Sequence, residues 1–576
     1  MTGKGMRHVL REAWRIAKPY WFGEDKWRAL GLLVIVAALN LSVVGMTVRF
    51  NYWHNDFYNA IQNVDESAFF RLIGIFLALA MAYIALAISL EFFTSWLQVR
   101  WRRWLTAHYV DRWLSHRAYY RLQLSGETDN PDQRIAEDIR LFIENTFGLT
   151  LLLVRKVVTL FSFILILWSL SGPVTIPLGS LGEVTIPAYL VWLSIVYAAF
   201  GTIVTIKIGR KLVPLNFNRQ RYEADFRYSL VRLRENTESV AFYGGESRER
   251  AIFDLRFSAI YSNFISIMWR NLKLSSFTAG FSQASVVFPF LLQAPRFFAK
   301  QIKLGDLMQT VGAFSQVLDS LTVIVNAYSD IANWQSVVQR LATFDYRVAD
   351  LEAESREEKP IAIARKGEGL AVEALDLNLP DGKALVANVA LRAEPGNALL
   401  VAGPAGIGKS TLLRAIAGLW PFGRGKVQLA EGRAFFVPQK PYIPLGSLRQ
   451  ALIYPEHDTT ISDARLKEVL AKVGLSAFAG ELDVNDLWSQ RLSGGEQQRL
   501  AFARVFLAEP TVIFLDEATS ALDEAAEEQI YRMLREAPWR PTIVSVGHRS
   551  TLRAFHDSAL DLGAAGARPS AAFAAE

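Results

Sequence analysis

The sequence predicts two domains of different fold class, an α-helical membrane domain with six spans and an α/β domain built around a glycine-rich loop. Two observations predict the membrane domain. Hydrophobic residues make up 51% of the 576-residue chain, and residues 29–48 and 72–90 contain no charged side chain. An uncharged helix of that length crosses about 30 Å of hydrocarbon. The second domain is predicted by the stretch GPAGIGKST at residues 403–411.

Four weaker apolar stretches complete the six predicted spans, at residues 157–170, 189–206, 274–295 and 307–325. The last two contain polar side chains that lipid disfavours: Gln283, Gln293, Gln309, Gln316 and Asp319. We expect these side chains to face the interior of the helix bundle or a wet cavity. The alternative is that they only form hydrogen bonds between neighbouring helices.

Basic residues are unevenly distributed around the spans. They cluster before the first span (Lys4, Arg7, Arg11, Arg15, Lys18) and after the second (Arg100, Arg102, Arg103, Arg112, Arg117). Residues 51–70 and 171–187 contain neither Lys nor Arg. The positive-inside rule therefore predicts that both chain ends are cytoplasmic, with Arg296, Lys300 and Lys303 as exceptions. The amphipathic stretch at residues 7–21 is expected to lie along the membrane surface.

The sequence predicts four segments, and its composition excludes several classes of function. The segments are a transmembrane domain at 1–345, a charged linker at 346–366, an α/β domain at 367–561 whose motifs, described below, predict nucleotide binding, and a loose tail at 562–576. The net charge of +6 is explained by the orienting arginines, so nucleic acid is not an expected partner. Since the chain has no cysteine, it has neither disulfides nor thiolate metal sites.

The stretch at 403–411 fits the P-loop pattern G-x-x-x-x-G-K-[ST]. It lies between the apolar run NALLVA and the helical pattern LLRAIAGLW, which predicts a strand, a loop and a helix. The residues expected to hold ATP are Gly403, Pro404, Ala405, Gly406, Ile407, Gly408, Lys409, Ser410 and Thr411. Lys409 is expected to reach the β- and γ-phosphates, and the Ser410 hydroxyl to bind Mg²⁺.

A second motif, TVIFLDEATSALD, predicts a buried strand that ends in two carboxylates. Asp516 is expected to hold Mg²⁺, and Glu517 to orient and polarise the attacking water. Two acids at the end of a strand are by themselves as consistent with a solvated loop. Because the same chain contains a P-loop, we interpret them as part of a phosphoryl-transfer site.

The stretch RLSGGEQQR at residues 491–499 resembles the signature motif of the ABC ATPases, and the neighbouring motifs follow the order of that family. Gln439 in FVPQKPY resembles the Q-loop glutamine, Asp523 in SALD the D-loop aspartate, and His548 in SVGHRS the switch histidine. A single histidine is more often an ordinary surface or core residue, and only the strand TIVSV before His548 favours the switch interpretation.

This resemblance implies that the signature loop of one ATPase domain closes on ATP held by the P-loop of a second. The residues expected to contact that nucleotide are Ser493, Gly494, Gly495, Glu496 and Asp523. It also implies that Gln439 and His548 take part in catalysis and that Gln439 lies at Mg²⁺. Because the chain carries one copy of each motif, the expected molecule is a homodimeric half-transporter with two composite sites.

Other stretches narrow the resemblance. GLWPFGRG and VPQKPYIPLGSLRQALIYP are similar to the peroxisomal half-transporters of the D subfamily and their bacterial relatives. DNPDQRIAED and RQRYEADFRYSLVRLRENTESVAFYGGESRER resemble the SbmA/BacA-like peptide transporters, here with a fused ATPase. The resemblance implies a bacterial inner-membrane protein with a cytoplasmic ATPase domain that imports hydrophilic or amphipathic solutes such as peptides. It also makes residues 238–245 candidates for coupling the two domains.

Two alternatives stay open. The runner-up is a transporter or exporter of lipids or acyl-CoA-like compounds, which the D-subfamily resemblance implies. A membrane-anchored ATPase that transports nothing is the alternative from another class, and the polar side chains of the last two spans argue against it. The stretch LAVEALDLNLPDGKAL at residues 370–385, ahead of the P-loop, offers Leu377 and Leu379 but no aromatic residue that could stack on adenine. The adenine contact is therefore left unassigned.

Overall fold

The computed structural model describes residues 3–23, 25–124, 130–177, 183–323, 327–354, 360–367, 369–456 and 460–563. The chain folds into two compact units. The first comprises Met1–Gln123 and Glu127–Leu351, and the second Leu124–Gly126 and Glu352–Glu576. Most of the predicted tail and part of the predicted linker lie outside the described residues.

The first unit is helical. Its helices are α1 Gly3–Trp21, α2 Lys26–Gln62, α3 Glu66–Leu114, α4 Ala118–Leu124, α5 Pro131–Gln133, α6 Ile139–Ser171, α7 Tyr189–Gly209, α8 Leu212–Glu235, α9 Thr237–Tyr243, α10 Glu246–Phe298, α11 Leu304–Leu321 and α12 Tyr328–Glu354. A short antiparallel pair, β1 Val174–Pro177 and β2 Glu183–Ile186, lies between α6 and α7. Helix α12 continues nine residues past the predicted domain boundary at 345.

Four helical segments within the described residues are long and apolar enough to cross a membrane: Lys26–Gln62, Glu66–Leu124, Pro131–Ser171 and Tyr189–Glu235. They contain the first four predicted spans. The expected fifth span lies in α10. The expected sixth lies in α11 up to Leu321; residues 322 and 323 follow the helix, and residues 324 and 325 are not described. These two helices are less apolar than the other four, so the six-span count stays a prediction.

A ladder of asparagines joins α2 to α11. Asn51, Asn55 and Asn59 are spaced four residues apart and therefore share one face of α2. The Asn55 amide donates to the Gln309 side chain at 2.8 Å and to Asp306 at 2.9 Å, and Asn51 donates to the Gln309 carbonyl at 3.2 Å. Gln309 is buried. Gln309 therefore forms hydrogen bonds between neighbouring helices, which was the alternative to facing a wet cavity.

The last turn of α6 is capped by Arg296 from α10. Its Nη1 donates to the carbonyls of Ser171 at 2.7 Å and Leu170 at 3.1 Å, and to the side chain of buried Gln293 at 3.2 Å. A cation at a helix C-terminus satisfies unpaired carbonyls and complements the helix dipole. This contact gives Arg296 a structural role on the predicted outer side. Gln293 is buried, and this bond joins it to a residue of its own helix and not to a neighbouring one.

The remaining polar residues of these spans stay accessible. Gln283 is exposed and Gln316 is half-buried. Asp319 in α11 forms an ion pair with Lys156 in α6, and its side chain is 55% exposed. A carboxylate with that exposure is costly in hydrocarbon, so these three residues remain consistent with a wet cavity.

The second unit is built on two larger sheets. Its strands are β3 Ile361–Arg365, β4 Leu370–Asn378, β5 Ala384–Ala393, β6 Ala398–Ala402, β7 Gly423–Leu429, β8 Ala434–Val437, β9 Gly446–Ser447, β10 Asn485–Asp486, β11 Val512–Asp516, β12 Thr542–Val546 and β13 Ser558–Asp561. One sheet is parallel with the order β13-β6-β12-β11-β8, and the other has the order β3-β7-β4-β5. Strands β6, β11 and β12 are buried along nearly their whole length, as their continuous apolar sequences predict.

The helices of the second unit surround the parallel sheet. They are α13 Lys409–Ile416, α14 Leu448–Ile453, α15 Asp463–Lys472, α16 Trp488–Arg491, α17 Gly494–Ala508 and α18 Glu524–Arg535. One face of the sheet packs in a core that includes Leu500, Phe502 and Ile513, and the other in a core that includes Leu412 and Phe514. The parallel sheet therefore fixes the positions of the loops that follow its strands.

Candidate functional site

The loop between β6 and α13 has the backbone that a phosphate cradle requires. Gly403, Gly406 and Gly408 adopt φ values of 137°, 78° and 107°, which glycine reaches without strain. Gly408 also leaves no space for a side chain, because a Cβ would lie 2.9 Å from Val386 Cγ2. A Cβ at Gly406 would meet no atom within 4 Å. The loop is thus tightly packed on one side and open at its tip, as anion binding by backbone N–H groups requires.

Lys409 is the first residue of α13 and is only 5% exposed. Its Nζ donates to the carbonyls of Gly403 at 2.8 Å and Pro404 at 2.9 Å. Among the described residues it forms no ion pair, so a buried ammonium is held by neutral carbonyls of its own loop. Burying a charge without a counter-charge is costly. The arrangement therefore suits an anionic ligand such as a triphosphate.

Ser410 and Asp516 lie directly against each other. The Ser410 hydroxyl donates to Oδ1 of Asp516, the last residue of β11, at 2.7 Å. Burial raises the pKa of Asp516, and the hydrogen bond from Ser410 opposes that rise. A hydroxyl and a buried carboxylate are oxygen ligands of the kind that Mg²⁺ prefers, with the substrate phosphates completing its shell. The residues present therefore fit the predicted metal.

Glu517 is held between Gln439 and His548. The Gln439 amide donates to Glu517 Oε2 at 2.9 Å, and His548 Nε2 lies 3.1 Å from Glu517 Oε1. The three residues follow β8, β11 and β12, which are neighbours in the parallel sheet. Since parallel strands end at the same edge, three segments distant in sequence meet there. Glu517 itself has a left-handed backbone (φ 48°), with its N–H bonded to Val546 O at 3.0 Å.

The signature motif forms the N-terminus of α17. Ser493 is the N-cap, and Glu496 accepts hydrogen bonds from the Ser493 N–H at 2.8 Å and hydroxyl at 2.7 Å. Gly495 leaves little space for a side chain, since a Cβ would lie 3.1 Å from Ala521 O. A capped helix N-terminus next to two glycines is a rigid surface that favours an anion. Gly494, by contrast, would bring a Cβ no closer than 3.7 Å to another atom.

Gln498 is a residue of this region that the motif analysis missed. It is 3% exposed, and its amide donates to Gln439 O at 3.1 Å and to Ser520 Oγ at 3.2 Å, while its Oε1 accepts from Ala521 N at 2.9 Å. One side chain thus connects the signature helix to two loops, the loop after β8 that contains Gln439 and the loop after β11 that contains Glu517. A signal was present: Gln498 falls in register with Ala501, Phe502 and Val505, so a polar group lies on the apolar face of its helix.

The structure brings together some predicted site residues and separates others. The P-loop, Asp516, Glu517, Gln439 and His548 lie in one group through the contacts above. Asp523 caps α18 by accepting from Ala526 N at 2.7 Å. Within the part of the chain that the structure describes, no hydrogen bond or ion pair joins Ser493, Glu496 or Asp523 to the P-loop.

These features define the class of protein, a P-loop ATPase carried on a chain with a helical membrane domain. Two family models match, "ABC transporter transmembrane region 2" at residues 16–298 and "ABC transporter" at residues 386–520. The chain is 33% identical to the inner membrane ABC transporter ATP-binding protein YddA of Escherichia coli, over 97% of this chain and 98% of that protein. It is 33% identical to the chloroplastic ABC transporter D family member 2 of Arabidopsis thaliana, over 97% and 87%.

The chain therefore belongs to the ABC transporters and is related to their D family. Its ATPase domain binds ATP and is coupled to transmembrane transport. A solved bacterial Atm1-family ABC exporter with ATP bound matches 92% of this chain and 94% of its own length, with a TM-score of 0.69 and 18% identity. This match confirms the predicted fold class, an exporter-type helical membrane domain followed by an ABC ATPase domain.

Proposed function

We propose that the protein is a homodimeric half-transporter in which each ATP lies between the P-loop of one chain and the signature turn of the other. The observation that carries this proposal is the separation within one chain. The P-loop group has its lysine, its Mg²⁺ ligands and its glutamate, yet the capped turn at Ser493 makes no polar contact with it among the described residues. Two copies related by a two-fold axis would form two equivalent sites. In each site, the P-loop of one chain would face the signature turn of the other.

Each residue then has a defined role in hydrolysis. Lys409 binds the β- and γ-phosphates and offsets their charge. Glu517 polarises the attacking water, and Gln439 and His548 hold its carboxylate in place. Ser410 and Asp516, together with Gln439, would hold Mg²⁺, which stabilises the charge on the transferred phosphoryl group when bound.

For the membrane domain we propose the bacterial inner membrane, with both chain ends and the ATPase domain in the cytoplasm. The distribution of Lys and Arg supports that orientation. The Escherichia coli relative is named as an inner membrane protein. The surrounding membrane lipid is then the partner of the apolar outer faces of the helices.

The proposed cargo is a hydrophilic or amphipathic solute such as a peptide, moved inward. The ion pair between Lys156 and Asp319 supports a polar path, because an accessible carboxylate within a span needs water or a polar solute beside it. A wet path selects cargo by size and solvation rather than by a shaped pocket, so we expect several solutes to be accepted. Inward direction and peptide cargo derive from the resemblance to the SbmA/BacA-like transporters.

A transporter of lipids or acyl-CoA-like compounds is the second candidate, and the relationship to the D family favours it. Two experiments separate the candidates. Cells expressing the intact protein should take up proline-rich or arginine-rich peptides, whereas cells expressing Glu517→Gln should not. Equal uptake in cells with the intact protein, the variant or neither would overturn the peptide proposal.

The second experiment uses protein in lipid vesicles. Stimulation of ATP hydrolysis by peptides supports the first candidate, and stimulation by acyl-CoA or extrusion of labelled lipid supports the second. Rapid hydrolysis without movement of any solute would favour the third candidate, a membrane-anchored ATPase that transports nothing.

A further inference from the structure

An apolar groove lies where α1 meets the start of α2. It has a volume of about 380 Å³ and is lined by the aromatic side chains of Trp14, Trp21, Phe22 and Trp27, by two leucines and by a single polar side chain, Lys26. That volume lies in the range of about 300–1,000 Å³ that small-molecule sites occupy. Phe22 and Trp27 are 64% and 77% exposed. The lining of this open groove is therefore suited to an apolar group.

Helix α1 has three distinct faces at about 100° per residue. Val9, Ala13, Ile16 and Tyr20 are buried against the rest of the first unit. Leu10 and Trp14 form an exposed apolar stripe beside them, and the side chains Arg7, Arg11 and Lys18 form an exposed basic stripe beside that. A helix with this pattern lies in the membrane interface with its apolar stripe toward acyl chains and its basic stripe toward head groups.

Two ammonium groups lie at the groove or beside it. Lys18 of α1 is four residues after Trp14 and four residues before Phe22, which follows the end of the helix and donates its N–H to the Lys18 carbonyl at 3.1 Å, so Lys18 lies beside both groove residues. Lys26 lines the groove itself. The described carboxylate nearest in sequence, Asp25, is already paired with Arg100 at 2.9 Å and Arg28 at 3.8 Å. An occupant with one negative charge beside an apolar chain would complement both lysines.

We propose that this groove is a binding site for an anionic phospholipid, with an acyl chain along Trp14 and Trp27 and the phosphate between Lys18 and Lys26. The site lies at the beginning of the first span, on the side where basic residues cluster, which is the leaflet whose anionic lipids attract such residues. The bound lipid fixes the angle between α1 and the first span. This site is independent of the nature of the transported solute.

The test is photo-crosslinking of the full-length protein in vesicles. Two probes carry the same diazirine in one acyl chain, one with a phosphatidylglycerol head group and one with phosphatidylcholine. We expect the anionic probe to label peptides containing Trp14 or Trp27 more strongly, and Lys18→Gln and Lys26→Gln each to lower its labelling about fivefold. Equal labelling of the intact protein by both probes would overturn the proposal.

Matched controls separate this effect from general electrostatics and from misfolding. Lys366→Gln with Lys467→Gln removes two exposed lysines from the ATPase domain and should leave labelling unchanged. Trp27→Ala should lower labelling by both probes, because it removes apolar surface rather than charge. Basal ATP hydrolysis should be retained in every variant, which shows that the protein is folded. Loss of labelling in the Lys366/Lys467 variant to the same degree would show that no local site exists.

Discussion

Gln439 Nε2 and Glu517 Oε2 are 2.9 Å apart, although 78 positions separate the two residues in the chain. Each residue follows a strand of the parallel sheet, and those strands, β8 and β11, are neighbours. On its other oxygen, Glu517 meets His548, which follows the next strand. The carboxylate that we propose as the water-polarising group is therefore held from both sides by side chains of the same domain.

The first prediction concerns this carboxylate. Glu517→Gln keeps the size of the side chain and removes its charge, so ATP should still bind while the attacking water is no longer polarised. We expect hydrolysis at least about a hundredfold slower, a rise of about 2.7 kcal/mol in the barrier. Nucleotide binding and steady-state hydrolysis measured on the same preparation check this, and near-normal turnover would remove Glu517 from the proposed role.

The second prediction concerns Gln498. Gln498→Ala removes three hydrogen bonds that join the signature helix to the loops around Glu517, and it leaves a gap where a buried side chain was. We expect the maximal hydrolysis rate to fall at least about tenfold while the ATP concentration for half-maximal rate changes little, because Gln498 positions groups rather than touching substrate.

The neighbouring Gln497 provides a matched control. Its amide donates only to the carbonyls of Ser489 and Leu492, close by in sequence. Gln497→Ala should leave the rate within about twofold of the unmodified protein. If both variants lose activity equally, the effect reflects the stability of α17, and the positioning role of Gln498 is contradicted.

The third prediction tests the composite site. A chain altered at Lys409 and a chain altered at Ser493 should each be inactive as a homodimer, because both sites then lack one half. When the two are combined, one site receives an intact P-loop from one chain and an intact signature turn from the other. Purified heterodimers with two different tags should therefore hydrolyse ATP, and complete inactivity would contradict a site that forms across chains and works alone.

The fourth prediction concerns pH and the buried His556. Its ring nitrogens lie 2.8 Å from Ser545 Oγ and 2.6 Å from Leu552 O, and burial lowers its pKa below the usual value of about 6.5. The unfolded chain therefore takes up a proton before the folded chain does. Stability of the ATPase domain should be fully present above about pH 6.5 and fall as the pH drops toward the lowered pKa.

Thermal unfolding followed between about pH 7.5 and pH 5.5 checks this prediction. His556→Leu should unfold at a lower temperature overall but show a weaker dependence on pH in that window. An unchanged slope in His556→Leu would assign the pH dependence to other groups.

Sequence alone determined the class of each domain and the motifs of the ATP site. Apolar length predicted the first four spans, because a helix in hydrocarbon must satisfy its backbone internally and carry few charges. The P-loop was predictable from the spacing of its glycines before Lys409. The strand before Asp516 was predictable from its continuous run of apolar residues. These signals are local, so no tertiary information is needed to detect them.

Only the tertiary structure decided which distant residues meet. The strand order β6-β12-β11-β8 brings Gln439, Glu517 and His548 to one edge, and no local pattern specifies which strands are neighbours. Gln498 could be noted as a polar group on an apolar helix face, but its partners depend on the packing of two loops against that helix. The same holds in the membrane domain, where Gln309 bonds an asparagine ladder while Asp319 stays accessible. Hydrogen-bond partners are set by the three-dimensional arrangement of helices, which the polarity of a single residue does not encode.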